Sequence, residues 1–314
     1  MTLDAIVVGA GVTGLTTALR LTRAGLQVGV RAAETGAATT SYAAGAMVSP
    51  AFGSTDPRMN GWAKATVARM TELASNPATG VHLETALLAS RHPLPPPDEA
   101  AELNWLHICG PDELPAGFAM GMRTRLPFVA MPTYLAWLTD QLAEAGVDVE
   151  LGAVHDLAEP GRKAGVVVNC TGVGARALAG DDTTEPDRGQ HVVVANPGVT
   201  ECFYEVAFER TWAGWMVHGD VVVLGGVSGG ADWSREPDLA LSAAIVERGA
   251  AIEPLFRDAE VLEHRVGLRP ARPSVRLEAE VRDGARVVHS YGHGGMGVAL
   301  SWGCADDVVA LVAR

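Results

Sequence analysis

Glycines near the N-terminus give the first indication of chemistry. Residues 9–14 read Gly-Ala-Gly-Val-Thr-Gly and directly follow the apolar run 5–8. Residues 15–24 have helical spacing, and residues 27–30 read as a second strand. In a strand–turn–helix–strand unit, such glycines allow a tight turn, a close approach to a pyrophosphate, and close packing of helix on strand. The pattern predicts a dinucleotide at the helix N-terminus; a tight turn in an ordinary α/β domain is the alternative.

The acidic residue that usually binds the adenosine ribose is not at its usual place. The second strand continues into Arg31-Ala32-Ala33, and the nearest acid is Glu34. Glu34 either reaches the ribose from a displaced position or is a solvated loop charge. Both interpretations stay open.

A second glycine cluster lies close to the C-terminus. Residues 292–297 read Gly-His-Gly-Gly-Met-Gly and precede a helix predicted over 298–312. Glycines at this density indicate that the backbone approaches another group closely. His293 is a candidate catalytic base, but a histidine between glycines more often hydrogen-bonds to backbone, and we favour that role.

Composition limits the class of protein. The chain has 314 residues, 48% of them hydrophobic, and a formal net charge of −13, which disfavours nucleic-acid binding. Its four cysteines are scattered, so we expect neither a metal site nor disulfides. The apolar runs are too short for a signal peptide or a membrane span, and a cytoplasmic protein is expected.

The pattern of elements predicts two domains in an interrupted arrangement. Helix-strand patterns typical of a nucleotide domain occur in 1–50, 131–185 and 260–314, including a helix over 132–145 and a strand over 166–170. Within 186–259, alternating apolar residues from Arg188 to about Val227 favour antiparallel strands, and a helix follows over 238–248. Residues 51–130 are rich in proline and read as mostly irregular.

Seven motifs make the chain similar to the D-amino-acid oxidase family over essentially its whole length. They are VVGAGVTGLTTAL, TTSYAAG, VVVNCTG, RGQHVVV, VVVLGG, VGLRPARPSVRLE and YGHGGMGVALSWGCA, in that order. The resemblance implies an α/β fold with a discontinuous Rossmann-type FAD-binding domain (1–50, 131–185, 260–314) and an antiparallel-sheet substrate domain (51–130, 186–259). It also implies FAD as cofactor, an amino-acid substrate and O₂ as electron acceptor. Whether the chain forms a homodimer stays open.

The resemblance implies three groups of FAD contacts. The pyrophosphate contacts are Gly9, Ala10, Gly11, Val12, Thr13 and Gly14; the loop around the diphosphate and flavin contains Thr39, Thr40, Ser41, Ala44, Gly45 and Ala46. Val154 and Thr171 match positions near the cofactor, with Val154 facing adenine. Gly294, Gly295, Met296, Gly297, Val298 and Ala299 match the segment along the flavin ring.

The resemblance also implies how a substrate is held. Arg269 matches the arginine that binds the substrate carboxylate, a role that suits a planar guanidinium. The carbonyl of Gly295 is a candidate acceptor for the substrate amine. Trp215 stands where the family usually has a tyrosine that helps to hold the carboxylate, and Met47, Met296 and Ala299 also depart from the usual pocket residues.

These features predict an FAD-dependent oxidase that moves a hydride from the α-carbon of an amino acid to flavin N5, giving an imino acid and H₂O₂. The departures suggest an unusual substrate, bulkier or cyclic, rather than D-Ala or D-Pro. Oxidation of glycine, a secondary amine or a cyclic amine, with O₂ or another acceptor, is the near alternative. A flavin-binding protein without catalytic activity is the alternative from another class, and an NAD-linked dehydrogenase is disfavoured.

Overall fold

The computed structural model describes residues 3–54, 56–103, 105–207 and 209–313. The strands are β1 (Leu3–Val8), β2 (Val28–Ala32), β3 (Val81–Ser90), β4 (Leu106–Ile108), β5 (Met120–Val129), β6 (Val149–Leu151), β7 (Ala164–Asn169), β8 (Glu185–Ala195), β9 (Cys202–Glu205), β10 (Thr211–His218), β11 (Val221–Val227), β12 (Val261–Ala271), β13 (Arg276–Arg282) and β14 (Ala285–Tyr291). The α-helices are α1 (Val12–Arg23), α2 (Pro57–Leu73), α3 (Met131–Glu144), α4 (Ala158–Gly161), α5 (Ala175–Leu178), α6 (Leu239–Ala250) and α7 (Gly297–Val312).

One sheet of six strands has the order β13-β14-β7-β1-β2-β6. Its strands pair in parallel from β6 to β14, and β13 is antiparallel to β14. The central strands β1 and β7 are apolar on both faces: Val7 packs with the helices, whereas Ile6 packs with Val154 and Leu157 on the other face. This sheet brings the carboxyl ends of β1, β2 and β7 to one edge.

A second sheet of eight strands has the order β12-β8-β11-β10-β9-β3-β5-β4. Its pairs are antiparallel except for β3 with β9. Side chains of β8, β10 and β11 pack against α6, for example Leu224 against Ile245. The α/β fold with a parallel and an antiparallel sheet is therefore confirmed.

The prediction for residues 51–130 missed their regular structure. This region holds the 17-residue helix α2 and the ten-residue strands β3 and β5. The second half of β3, from Ala86 to Ser90, is buried continuously. That run therefore lacks the alternation by which a half-exposed strand is recognised.

Sheet membership also differs from the proposed division at one place. β12 (Val261–Ala271) pairs with β8 in the eight-stranded sheet, although it falls in the segment 260–314 that was assigned to the nucleotide domain. The strands β13 and β14 after it do join the six-stranded sheet. The change of sheet thus comes after Ala271, and the assignment of whole domains stays a prediction.

The C-terminal segment Gly294–Val312 is long and apolar enough by composition to cross a membrane, and 56% of its most apolar window is buried inside the protein. α7 packs between α1 and α2, and Trp302 donates a hydrogen bond to the buried Tyr134 hydroxyl at 2.9 Å. Its apolar residues thus belong to the protein core.

Candidate active site

The two sheets enclose a cleft with a volume of about 1510 Å³. One end is formed by the loops after β1, β2 and β7, and the other by the eight-stranded sheet. All the residues assigned above to FAD line it except Gly14. The structure thus brings the two glycine clusters, 285 or so residues apart in sequence, to one site.

The turn after β1 leaves no room for side chains. Gly9 has φ +114°, and a methyl group there would overlap the carbonyl oxygen of Cys170. A methyl group on Gly14 would overlap the carbonyl oxygen of Gly9, so Gly14 allows α1 to pack closely on the turn, although it does not itself line the cleft. The backbone N–H of Val12, at the start of α1, donates to Ser41 Oγ at 2.9 Å. This arrangement is the helix N-terminus and tight turn that a pyrophosphate requires.

The loop 39–46 is held in place by side chains of the other sheet. Thr40 Oγ1 donates to the carbonyl of Leu268 at 3.1 Å and accepts from its N–H at 3.2 Å. His191 Nδ1 donates to the carbonyl of Ala43 at 2.7 Å, and His218 Nε2 donates to that of Gly45. Burial lowers the pKa of both His191 and His218 to about 4. Both rings are therefore neutral at pH 7, and each uses its one N–H on this loop.

At the adenosine end, Glu34 forms an ion pair with Arg235. Its carboxylate is 43% exposed and accepts two hydrogen bonds of 2.8 Å from Arg235 Nη1. It lines the cleft as an ion-paired loop charge, and a contact with ribose stays a prediction. Thr171 also lines the cleft, and its hydroxyl donates to Asn169 Oδ1 at 2.7 Å. That hydroxyl therefore offers only its lone pairs to a ligand.

Two buried polar atoms in the wall of the cleft have no hydrogen-bond partner among the described residues. They are Ser290 Oγ, at the end of β14, and His293 Nε2, just before α7. Burial lowers the pKa of His293 to about 4, so its ring is neutral. Buried polar atoms without partners are uncommon and point to a polar ligand. Together with the glycine turn, they show that the wall of the cleft fits a dinucleotide with a polar ring system.

Arg269 lies at the other end of the cleft, on β12. It is opposite Asp187 on β8, and its Nη1 donates to Asp187 Oδ2 at 3.1 Å and to the carbonyl of Val227 at 2.9 Å. The guanidinium lies across Gly189, where a methyl group would overlap it. Gly295 is adjacent, since a methyl group there would lie 3.6 Å from Arg269 Cδ. Arg269 and Gly295, predicted as substrate contacts, are therefore neighbours.

The position of Trp215 corrects the prediction made for it. Its side chain is 5% exposed, stacks on Phe203 with centroids 4.5 Å apart, and donates from Nε1 to the carbonyl of Glu201 at 2.8 Å. Because side chains alternate along a strand, Trp212 and Met216 face the cleft and Trp215 faces the core of the other side. Trp215 is thus a core residue.

Tyr204 on β9 lines the cleft and was not predicted from the sequence. It lines the cleft beside Trp212, with ring centroids 6.1 Å apart. Burial raises the pKa of its hydroxyl, and the charge of Arg269 offsets part of that rise. A phenol hydroxyl influenced by the charge of Arg269 is the kind of group that the family's tyrosine supplies and that Trp215 lacks. Its four-residue strand carries no motif that could have identified it.

The rest of this end is apolar. Its side chains come from the loop after residue 46 and from β3, β5 and β10, and include Met47, Phe52, Leu88, Met120, Met122, Trp212 and Met216. Such a surface binds an uncharged group of considerable size.

Fold and cleft together define a class of flavin-dependent oxidoreductases, and comparison with known proteins agrees. The family model described as FAD dependent oxidoreductase matches residues 4–311. The chain belongs to this family, so FAD is its cofactor, and the predicted enzyme class is confirmed.

Relatives and solved structures narrow the comparison. The chain is 44% identical to a D-amino-acid oxidase of Rubrobacter xylanophilus, over 98% of this chain and 95% of that protein. It is 42% identical to a D-amino-acid oxidase of Streptomyces coelicolor, over 98% and 96%. Glycine oxidase from Geobacillus kaustophilus has the same fold, with TM-score 0.84 and 20% identity over 99% of this chain and 95% of that one.

Proposed function

We propose that this protein oxidises D-amino acids with bulky apolar side chains to imino acids, which hydrolyse to 2-oxo acids and ammonia. The observation that carries the proposal is the pair Arg269 and Gly295 at the end of an otherwise apolar cleft. The D configuration comes from the two bacterial relatives. FAD, when bound, supplies the hydride acceptor for this reaction.

Arg269 binds the substrate carboxylate. Its Nη1 is occupied by Asp187 and Val227, which fixes the plane of the guanidinium and leaves its other N–H groups for a ligand. A guanidinium keeps its charge at all relevant pH values and matches a carboxylate with two parallel hydrogen bonds. The Tyr204 hydroxyl adds a third donor to the same carboxylate.

The carbonyl of Gly295 accepts a hydrogen bond from the substrate amine. Holding the carboxylate at Arg269 and the amine at Gly295 fixes the direction of the Cα–H bond. Orientation of this kind is worth about 7–11 kcal/mol of barrier in favourable cases. A neutral amine needs no strong base, and His293 serves as a polar contact to the cofactor.

The substrate side chain lies among the methionines and aromatic rings of the cleft. Methionine adapts its shape to different apolar groups, which favours long or branched side chains such as those of Met, Leu and Phe. Trp215 no longer supports the hypothesis of an unusual substrate, whereas Met47, Met296 and Ala299, which line the cleft, still do. That hypothesis stays a prediction, as do the release of H₂O₂, a cytoplasmic location and the oligomeric state.

Anaerobic bleaching of the bound flavin by single amino acids tests the proposal. At equal concentrations well below saturation, D-Met, D-Leu and D-Phe should reduce the flavin at least about tenfold faster than D-Ala, because each extra buried methylene favours binding. The L enantiomers should not reduce it. Faster reduction by glycine or secondary amines would support the alternative substrate class, and a flavin that no amine reduces would refute catalysis.

A further inference from the structure

Asp187 is a carboxylate placed directly beside the substrate-binding cation. It lies on β8 in register with Arg269 on β12, lines the cleft and is 23% exposed. Two other donors hold it: Ser228 Oγ donates to its Oδ1 at 2.6 Å, and the N–H of Gly230 donates to the same atom at 3.2 Å. The carboxylate is thus fixed in the cleft wall.

The charges that line the cleft leave Asp187 without further compensation. Among the described residues, the cleft wall contains four Asp, Glu, Lys or Arg side chains: Glu34, Asp187, Arg235 and Arg269. Glu34 and Arg235 pair with each other at the adenosine end. The substrate end therefore has one positive and one negative charge, and its net charge is zero before a substrate binds.

The substrate α-carboxylate changes this balance. Once it binds Arg269, the substrate end holds two carboxylates and one guanidinium. A second carboxylate on the substrate side chain would enter an apolar space with a net negative charge and, among the residues that the structure describes, no free cation in the wall. Carboxylates in such surroundings are strongly disfavoured unless they are paired.

We propose that Asp187 determines specificity by excluding D-amino acids with acidic side chains. The inference rests on the proposed function, since it takes Arg269 as the carboxylate-binding group. Asp187 thereby separates neutral D-amino acids from D-Asp and D-Glu. It does so by charge, because the amide and acid forms of these side chains have almost the same size.

Steady-state oxidation of D-Gln and D-Glu by the FAD-loaded enzyme and its D187N variant tests this inference. The two substrates differ by one charge at nearly constant volume. Removing a charge about 8 Å from the side-chain carboxylate, at an effective dielectric of about 20, should raise the D-Glu to D-Gln ratio of kcat/KM by about tenfold or more. The E201Q variant is the matched control, since Glu201 pairs with Arg123 and does not line the cleft. It should keep the wild-type ratio.

A ratio in D187N within twofold of the wild-type ratio would overturn the inference. If D187N turns over neither substrate, calorimetric binding of succinate and succinamate to the holoenzyme decides the question. An unchanged succinate-to-succinamate affinity ratio would likewise overturn it, and a rise of about tenfold would support it. Failure of the proposed function shows separately, as a wild-type flavin that no D-amino acid bleaches.

Discussion

At the scale of single residues, Arg269 is both an anchored part of the cleft wall and the proposed binding group for the substrate carboxylate. Asp187 and Val227 hold one side of its guanidinium, and Gly189 lets it lie flat against β8. R269K keeps the charge but loses the planar pair of donors, so kcat/KM should fall at least about a hundredfold, equivalent to about 3 kcal/mol. Oxygen consumption measures this, with flavin absorbance as the control for cofactor content. Retention of wild-type kcat/KM would remove Arg269 from the substrate site.

Tyr204 and Trp215 form a natural pair of test positions. In Y204F the carboxylate loses one hydrogen bond, and KM should rise about tenfold. In W215F the bond to Glu201 is lost inside the core, so stability should fall by about 1–2 kcal/mol with KM unchanged. Steady-state kinetics and urea unfolding of both variants separate the roles. A raised KM in W215F alone would restore the original assignment.

The prediction that Trp215 contacts the substrate was wrong, and it shows which part of the site could not be predicted from the sequence. Motifs located both glycine clusters because backbone geometry restricts residue types there, and they located Arg269 because its motif matches that of the family. The face of β10 could not be read from the sequence, because the strand has large apolar residues on both faces: Trp212 and Met216 line the cleft, and Trp215 lies in the core. Alternation alone therefore does not tell which of the two tryptophans faces the substrate.

At the scale of elements, α1 and α2 each contain a glycine, and the two have opposite requirements. Gly14 in α1 packs on the Gly9 carbonyl, whereas a methyl group on Gly61 in α2 meets nothing within 4 Å. G14A should lower stability by about 2–4 kcal/mol and abolish FAD retention. G61A should raise stability by about 0.5–1 kcal/mol, as alanine favours a helix.

Thermal unfolding and flavin fluorescence of the two variants measure these effects. A G14A protein that keeps bound FAD at wild-type affinity would contradict the assignment of the turn after β1 to the pyrophosphate.

The helices that were predicted well from the sequence, α1, α3 and α7, have strong apolar faces or terminal signals. α2 was missed since only Trp62, Ala63, Thr66 and Met70 of its 17 residues are buried.

At the scale of the whole molecule, the two sheets meet at the loop 39–46. This loop belongs by sequence to the six-stranded sheet, yet His191 and His218 of the other sheet donate hydrogen bonds to it. The substrate end and the cofactor end of the cleft are thereby joined by hydrogen bonds from two neutral imidazole rings. The pH range in which these rings stay neutral should also be the range in which the two parts of the cleft hold together.

Acid should therefore destabilise the protein before its carboxylates titrate. Burial lowers the pKa of His191, His218 and His293 to about 4, against about 6.5 in an unfolded chain. Between these values the unfolded state binds more protons, so the free energy of unfolding falls as pH drops from 6.5 towards 4, by about 1–2 kcal/mol per histidine at pH 5.

The H218Q variant keeps an N–H donor for Gly45 but cannot titrate, so its loss of unfolding free energy between pH 7 and pH 5 should be smaller by that amount. Urea unfolding followed by tryptophan emission at the two pH values measures both proteins. Equal losses would show that His218 titrates normally in the folded state.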